Sequence, residues 1–170
     1  MSSDDGVLRV AFAGVHRQLN QNPGSHNWAT GFCRVPETRA VAVYDLKTEV
    51  REQFRNCWKG TWGDIEPFDD YQKMLDQTEP DIVCIATHQS THADEGVAAA
   101  HAGVRGIVCD KQLTTTLQEA DRMLGAIRDA KVPFAFGTEQ RWSEPHRKLI
   151  KMLREGLVGE ITAVLAMGVT

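Results

Sequence analysis

The chain has 170 residues, of which 42% are hydrophobic and 25% charged, and this composition is typical of one globular domain with a sizeable core. Its formal net charge of -4 argues against nucleic acid or an anionic membrane as the main partner. No apolar run approaches the roughly 20 residues that span a bilayer, and the acidic, polar N-terminus is unlike a signal peptide, so we expect a cytoplasmic protein.

The four cysteines, Cys33, Cys57, Cys84 and Cys109, have no spacing that resembles a metal site. Two of them, Cys84 and Cys109, fall inside predicted buried strands. We therefore expect reduced core thiols in a cytosolic protein, rather than a disulfide or a metal centre.

The first predicted strand, residues 7–13, ends at Gly14. A dinucleotide-binding turn usually reads G-x-G-x-x-G, because glycines permit a tight turn and a close approach of the backbone to a pyrophosphate. Here the frame that starts at Gly14 reads GVHRQL, so only the first glycine is present. His16 and Arg17 offer positive charge to a phosphate, and the alternative is that they belong to a solvated loop.

An expanded loop follows this turn, and Ser25 is predicted to cap the first helix, which ends near Pro36. The second predicted strand, residues 41–45, ends in Asp45. In a β-α-β unit, an acid at this strand tip accepts hydrogen bonds from ribose hydroxyls and disfavours a 2′-phosphate. Asp45 therefore predicts a preference for NAD over NADP, unless it only caps the next helix.

The next segments are expected mainly to cover the sheet. They are a helix over residues 49–58, broken by the GTWG stretch at 60–63, then a short strand or extended link at 65–68. A further helix is capped by Asp69 or Asp70.

The central stretch, residues 81–111, organises the chain. An apolar, β-branched run at 82–86 and a second at 104–108 predict strands, with a helix over 91–101 between them. Strand, helix and strand predict a parallel unit, and ligands gather beyond the carboxyl ends of such strands. The residues expected at this edge are Thr87, His88 and His92 on one lip of a crevice, and Asp110 and Lys111 on the other.

The last third of the chain has clear helix signals. Thr116 and Glu119 form a capping box, and the apolar stripe Leu117, Ala120, Leu124 and Ile127 is expected to lie in the core. A strand at 133–137 is followed by Arg141, which either serves the site or is a surface ion-pair partner. A helix from Ser143 to Gly156 and a last strand-like run at 161–169 complete the pattern.

The central motifs resemble those of the Gfo/Idh/MocA family of NAD(P)-dependent oxidoreductases. Members usually read T-P-x-x-x-H after the fourth strand and E-K-P after the fifth. This chain reads THQSTH from Thr87 to His92 and DKQ from Asp110 to Gln112. The spacing matches, while both prolines are replaced and the glutamate is an aspartate. The resemblance extends through Arg141 and the G-x-x-G-E turn at 156–160.

The resemblance implies an α/β fold with a doubly wound parallel sheet, a Rossmann fold, over residues 1–158. Residues 159–170 then form the first strand of a second domain that is otherwise absent, and this strand offers an edge for homo-oligomer formation. The implied activity is hydride transfer between NAD(P) and a sugar, polyol or inositol-like small molecule.

The resemblance also implies site roles. Lys111 contacts the substrate oxygen, with a lowered pKa if it is partly buried, and Asp110 orients it. His92 and Arg141 lie near the nicotinamide. The implied cofactor-binding residues are Gly14, His16, Arg17, Asp45, Thr87, His88, His92, Lys111 and Arg141.

Two interpretations of the whole chain follow. The first is the nucleotide-binding part of an oxidoreductase that is not catalytically complete alone, and the second is a non-catalytic binding or interaction module derived from the same fold.

Overall fold

Six parallel strands form one sheet at the centre of the molecule. The structure, a computed structural model, describes residues 6–22 and 27–165, apart from the side chains of residues 139 and 140. The strands are β1 (Leu8–Ala13), β2 (Thr38–Tyr44), β3 (Glu66–Phe68), β4 (Ile82–Ile85), β5 (Gly106–Cys109) and β6 (Phe134–Phe136). Their order is β3-β2-β1-β4-β5-β6, and every neighbouring pair is parallel. The predicted doubly wound parallel sheet is confirmed.

Five helices connect these strands, and two helical segments follow β6. The connecting helices are α1 (Trp28–Phe32), α2 (Thr48–Trp62), α3 (Tyr71–Thr78), α4 (His92–His101) and α5 (Leu117–Asp129). A 3₁₀ helix, Glu139–Trp142, and α6 (Glu144–Arg154) come last. None of the helices in the described ranges has the length and apolar character needed to cross a bilayer.

The core lies on both faces of the sheet, because successive side chains of a strand point to opposite sides. In β1, Val10 and Phe12 pack with apolar residues of α1 and α2, while Ala11 packs with those of α3, α4 and α5. All four cysteines are free, and Cys84 and Cys109 are buried in β4 and β5, as predicted for core positions. The two helical layers therefore sandwich the sheet.

Two helix predictions need correction. The N-cap of α1 is Asn27, whose side chain accepts from the Thr30 N–H, while the predicted cap Ser25 lies outside the described residues. Helix α2 continues through residues 60–62 and ends at Gly63, which has φ of 79°, so the helix has one more turn than predicted. The prediction that Gly60 ends the helix failed because Trp62 is buried in the core, and this burial outweighs the free-energy cost of a glycine inside a helix.

The capping box at Thr116 and Glu119 is confirmed, and so is Asp70 as the N-cap of α3. Leu117, however, is 85% exposed, and the residue that α5 buries fully is Met123, which contacts Gly96 of α4. The predicted core position of Leu117 is therefore wrong, while Ile127, at the other end of the same predicted stripe, is buried with 4% exposure.

The chain divides into two compact units, Met1–Gly137 and Thr138–Thr170. In the second unit, α6 begins after Ser143 with a proline in its first turn, as predicted. Residues 161–165 form no strand, so the predicted last strand is wrong there, and residues 166–169, with the edge expected for oligomer formation, lie outside the described residues. The predicted domain boundary after residue 158 stays a prediction.

Candidate functional site

The crevice of the first unit lies where the sheet changes direction. From β1 the chain winds outward to β2 and β3 with helices on one face, and from β4 it winds the opposite way with helices on the other face. The loops after β1 and β4 therefore diverge at the carboxyl edge, which is where doubly wound folds bind ligands. A cavity of about 690 Å³ occupies this position.

Gly14 lies at the floor of the crevice, directly after β1. Its φ is 76°, and a Cβ atom there would lie 2.4 Å from the Thr87 amide nitrogen and 2.6 Å from the Ala86 carbonyl. Its own N–H donates to the Tyr44 carbonyl at 2.8 Å. No other residue fits both the backbone conformation and the close approach of β4, so this glycine is required by the geometry.

The turn after Gly14 is held by Gln18, a residue that the sequence analysis passed over. Gln18 is 1% exposed. Its side-chain Nε2 donates to the Gly14 carbonyl at 3.0 Å, and its Oε1 accepts from the Ala29 N–H at 3.0 Å, while the backbone carbonyl of Gln18 accepts from the Trp58 indole N–H at 2.8 Å. One buried glutamine therefore ties the glycine-poor turn to α1 and α2. A lone glutamine in a loop carries no sequence signal for such a role.

Most of the predicted site residues meet at this cavity. The predicted residues that line it are Gly14, His16, Arg17, Asp45, Thr87, His88, Asp110 and Lys111. The cavity also has lining residues that were not predicted, namely Tyr44, Leu46, Lys47, Ala86, Gln89, Thr91, Glu95 and Gln112. His92 is not among the lining residues, and Arg141 lies in the second unit, on the 3₁₀ helix.

Asp45 follows β2 and holds two backbone amides. Its Oδ2 accepts from the Val15 N–H at 3.1 Å, and its Oδ1 accepts from the Lys47 N–H at 3.1 Å. The alternative that it caps α2 by a side-chain hydrogen bond is wrong, because the N-cap position is Lys47, which makes none. Asp45 thus joins the turn after β1 to the start of α2, and it still faces the cavity.

Asp110 and Lys111 follow β5. The Asp110 N–H donates to the Ile85 carbonyl at 2.8 Å, which continues the sheet pairing by one residue. A Cβ atom at Gly137 would lie 3.0 Å from Asp110 Oδ1, so this glycine makes room for the carboxylate. Lys111 is exposed, so the partial burial that was considered for it is not observed. The peptide bond between Lys111 and Gln112 is cis.

His92 is the first residue of α4, and its ring is buried, with 1% exposure. Its Nδ1 lies 2.9 Å from the Gln112 carbonyl oxygen and 3.1 Å from that of Leu113, and its Nε2 lies 3.1 Å from the Thr87 carbonyl oxygen. The alternative that this histidine points to water is wrong. The ring contacts backbone carbonyls of the loops after β4 and β5, so it links the two loops that border the crevice.

Glu95, which the sequence analysis did not single out, lies one turn after His92 and lines the cavity. Thr87 Oγ1 donates to Glu95 Oε2 at 2.5 Å, and Thr91 Oγ1 donates to Thr87 Oγ1 at 3.0 Å. Burial raises the pKa of Glu95 to about 7, although the hydrogen bonds from Thr87 and Thr91 lower it. The sequence offered one signal, an acid on the inner face of a helix that is otherwise alanine-rich.

The cavity has the features of a nucleotide site and lacks those of a metal site. Three cationic side chains, Arg17, Lys47 and Lys111, line it together with the acids Asp45 and Asp110 that follow strands. Within residues 6–22 and 27–165, no group of three or more His, Cys, Asp or Glu side chains is arranged to hold a metal ion. Charged and polar groups at strand ends, around a glycine that permits close approach, suit an extended anionic ligand.

Comparison with known proteins agrees with this geometry. The Gfo/Idh/MocA family model, described as an oxidoreductase family with an NAD-binding Rossmann fold, matches residues 8–138. D-glucoside 3-dehydrogenase of Escherichia coli is 24% identical over 94% of this chain and 42% of its own length. Myo-inositol 2-dehydrogenase of Thermotoga maritima is 25% identical over 70% of this chain and 35% of its own length.

Solved structures show the same fold. The scyllo-inositol dehydrogenase of Lactobacillus casei, solved with NAD(H) and scyllo-inositol, superposes with a TM-score of 0.77 and 18% identity, over 92% of this chain and 43% of that one. The chain thus spans less than half the length of these relatives. Sheet order, crevice and sequence match together show that the chain belongs to the Gfo/Idh/MocA oxidoreductase family and carries its NAD-binding Rossmann fold.

Proposed function

We propose that this chain is the NAD(H)-binding domain of an oxidoreductase that transfers hydride to or from a sugar, a polyol or an inositol-like molecule. The observation that carries the proposal is the cavity at the switch point, because four strand ends contribute a predicted site residue to one space. These residues are Gly14 after β1, Asp45 after β2, Thr87 after β4 and Lys111 after β5.

The residues present fit a dinucleotide. Gly14 lines the cavity where the loops after β1 and β4 meet, and a Cβ atom there would collide with the backbone of Ala86 and Thr87, so glycine is what lets these two loops approach each other. The cavity volume of about 690 Å³ falls in the range of roughly 300–1,000 Å³ that is common for small-molecule and cofactor sites. Arg17 and His16 are exposed at its edge, beside the turn where a pyrophosphate binds in this fold.

Each residue has a distinct task in this proposal. Asp45 accepts hydrogen bonds from the adenosine ribose, while His16, Arg17 and Lys47 offset the charge of the phosphates. Lys111 donates a hydrogen bond to the oxygen of the substrate that gains or loses hydride, and Asp110 orients it. Bound NAD supplies the hydride chemistry, while the chain binds the cofactor, orients the substrate and polarises the substrate oxygen. Arg141 and His92 stay predictions as contacts of the nicotinamide.

The substrate class rests on the relatives, among which are dehydrogenases named for a glucoside and for inositols. The candidate groups Lys111, Asp110 and Thr87 all lie along one edge of one sheet. Holding reactants in productive geometry contributes about 7–11 kcal/mol to catalysis, and groups on one side of a crevice supply only part of it. We therefore propose that turnover needs a further wall beyond these 170 residues.

The first experiment titrates the chain with NADH and with NADPH, followed by fluorescence or calorimetry. NADH should bind more tightly, because the Asp45 carboxylate repels a 2′-phosphate. Asp45→Asn keeps one acceptor oxygen but loses the charge, and it should reduce the preference by about tenfold, the scale of one charge-assisted hydrogen bond. The matched control is Asp64→Asn, at an exposed acid outside the cavity. Equal affinity of the unmodified chain for both cofactors would overturn the NAD assignment.

The second experiment assays the purified chain with NAD and a panel of polyols, sugars and inositols, by the absorbance of NADH. We expect no robust turnover from the chain alone. Robust turnover that disappears in Lys111→Ala would mean that the domain is catalytically complete, and the proposed need for a further wall would be wrong.

A second candidate function is a non-catalytic binding or interaction module. It is favoured by the turn after β1, which has one glycine, and by α1, which has only five residues and caps its first turn with its own Asn27. A helix start of this kind offers few free amides to a pyrophosphate. Failure to bind either dinucleotide at millimolar concentration, with the fold intact by circular dichroism, would support this second candidate.

A further inference from the structure

One buried acid of the crevice has no task in the proposed function. Glu95 lies in the first turn of α4, is 6% exposed, and lines the cavity. None of the ion pairs between described residues includes it. Burial without a cationic partner disfavours the ionised form of a carboxyl group. Such a group beside a ligand site can therefore gain a proton when a ligand binds, which makes Glu95 a candidate for coupling to the ligand.

The partner of Glu95 is a hydroxyl that itself lines the cavity. Thr87 Oγ1 donates to Glu95 Oε2 at 2.5 Å, within the range of about 2.5–2.7 Å for a hydroxyl that donates to a carboxylate. Thr87 Oγ1 also accepts from Thr91 Oγ1 at 3.0 Å. While Glu95 is ionised, the proton of the Thr87 hydroxyl is therefore directed at the helix and away from the crevice.

We infer that Glu95 is a positioning residue that decides whether the Thr87 hydroxyl donates or accepts in the crevice, and that it thereby couples dinucleotide binding to the uptake of one proton. This inference rests on the proposed function. When Glu95 takes a proton from solvent, its own O–H donates to Thr87 Oγ1. The Thr87 proton is then released from Glu95 and is free to donate to a ligand oxygen. The neutral form also removes a negative charge that repels the phosphates.

The groups that face Glu95 from the neighbouring elements do not neutralise it. They are Tyr44 from β2, Tyr71 from α3, Cys109 from β5 and Asp94 from its own helix. Burial raises the pKa of both tyrosines and raises that of Cys109 to about 12, so none of these three is charged near neutral pH. Burial likewise raises the pKa of Glu95 to about 7, which is the range in which the proposed coupling operates.

Other titratable groups share the space and must be separated from Glu95. His16 and His88 line the cavity, and His92 lies one turn before Glu95. Protonation of a histidine also favours an anionic ligand, so a pH slope of the wild type does not by itself identify Glu95. The remaining charged groups of the lining are Arg17, Asp45, Lys47, Asp110 and Lys111, and they are common to the wild type and to the variants chosen here.

The test measures NADH affinity by calorimetry from about pH 5.5 to 8.5. Wild-type affinity should fall by at least about fivefold between pH 6 and pH 8, the lower end of ordinary coupling between two ligands. Glu95→Gln imitates the protonated acid, because its amide donates to Thr87, so its affinity should fall measurably less than that of the wild type over this pH range, with any remaining slope due to the histidines. Asp64→Asn, at an exposed acid outside the cavity, is the control and should follow the wild type.

A second measurement separates coupling from a purely structural role. The binding enthalpy near pH 7.5, determined in two buffers of different ionisation enthalpy, reports proton uptake directly. The wild type should take up a proton, and Glu95→Gln should take up measurably less. NADH binding with no pH slope, or the same slope and uptake in Glu95→Gln, overturns the inference and leaves the proposed function standing. Absence of NADH binding at every pH overturns both.

Discussion

The segments after β1 and β4 enter the same crevice, but they are held in different ways. The segment between β1 and α1 is long, and the described part of it is anchored by the buried Gln18 and by the hydrogen bond from the Val15 N–H to Asp45. Residues 86–91, between β4 and α4, are short and are tied down by a chain of hydrogen bonds among Thr87, Thr91, His92 and Glu95. One segment departs from the family pattern, and the other keeps its spacing.

The difference shows which part of the site the fold itself requires. Where β1 meets β4, the backbones are so close that only glycine fits at position 14. Beyond that contact, the described part of the first segment is held by separate hydrogen bonds, those of Gln18 with Gly14 and Ala29 and that of Val15 with Asp45. The second segment positions Thr87 beside the buried acid Glu95. Thr87, Thr91 and Glu95 are joined by hydrogen bonds, so a change at one of them alters the contacts of the others.

The largest expected effect concerns the contact that both segments share. Gly14→Ala should destabilise the fold by about 4 kcal/mol or more, because a left-handed conformation and a backbone overlap act together. Chemical denaturation measures the loss. Gly125→Ala, in the interior of α5 with nothing within 4 Å of the added Cβ, should instead be neutral or stabilise by up to about 1 kcal/mol. If the two substitutions had comparable effects, the conclusion that the contact between β1 and β4 requires glycine at position 14 would be wrong.

The next effect belongs to the β4 side and depends on pH. The folded-state pKa of Glu95 is about 7, above its ordinary value of 4.5. Below about pH 4.5 the acid is protonated in both the folded and the unfolded chain, so it does not lower the free energy of unfolding. This free energy then falls as the pH rises from about 4.5 through 7. At about 1.4 kcal/mol per pKa unit, a shift from 4.5 to about 7 lowers the free energy of unfolding by roughly 3 kcal/mol at pH 8.

Glu95→Gln should remove this loss, so the variant should be more stable than the wild type at pH 8 and similar to it at pH 4.5. Urea unfolding at the two pH values provides the measurement. Asp64→Asn should leave the pH profile almost unchanged, because this acid is exposed, pairs with Lys59 at the surface and lies outside the cavity. A wild type and a Glu95→Gln variant with parallel profiles would contradict the assignment.

The smallest effect belongs to the β1 side. Gln18→Leu removes two buried side-chain hydrogen bonds and leaves the Ala29 N–H and the Gly14 carbonyl without these partners, so we expect a loss of about 2 kcal/mol. Hydrogen exchange should reveal the loss mainly in the loop after β1. Gln118→Leu, at an exposed position of α5, should change stability by no more than about 0.5 kcal/mol. A uniform loss of protection across the sheet would mean that Gln18 supports the whole fold.

Much of the architecture was predictable from local sequence because strands and helices differ in periodicity. Short apolar, β-branched runs predicted the buried strands to within a few residues, and the Thr116–Glu119 capping box located α5. The errors arose where packing overrode local preference. Helix α2 continued past Gly60 because Trp62 fits the core, and Leu117, in the first turn of α5, is 85% exposed although its spacing matched the apolar stripe.

For the site, the sequence by itself determined which residues stand at strand ends, since that depends only on where each apolar run stops. Gly14, Asp45, Thr87 and Lys111 were found in this way, and the structure brings them to one cavity. Tertiary structure alone decided what Gln18, His92 and Glu95 do, because a buried polar side chain is defined by partners that lie far away in sequence or on another element. Periodicity predicts which side of an element is buried, but it does not predict the hydrogen-bond partners of a polar side chain on that side.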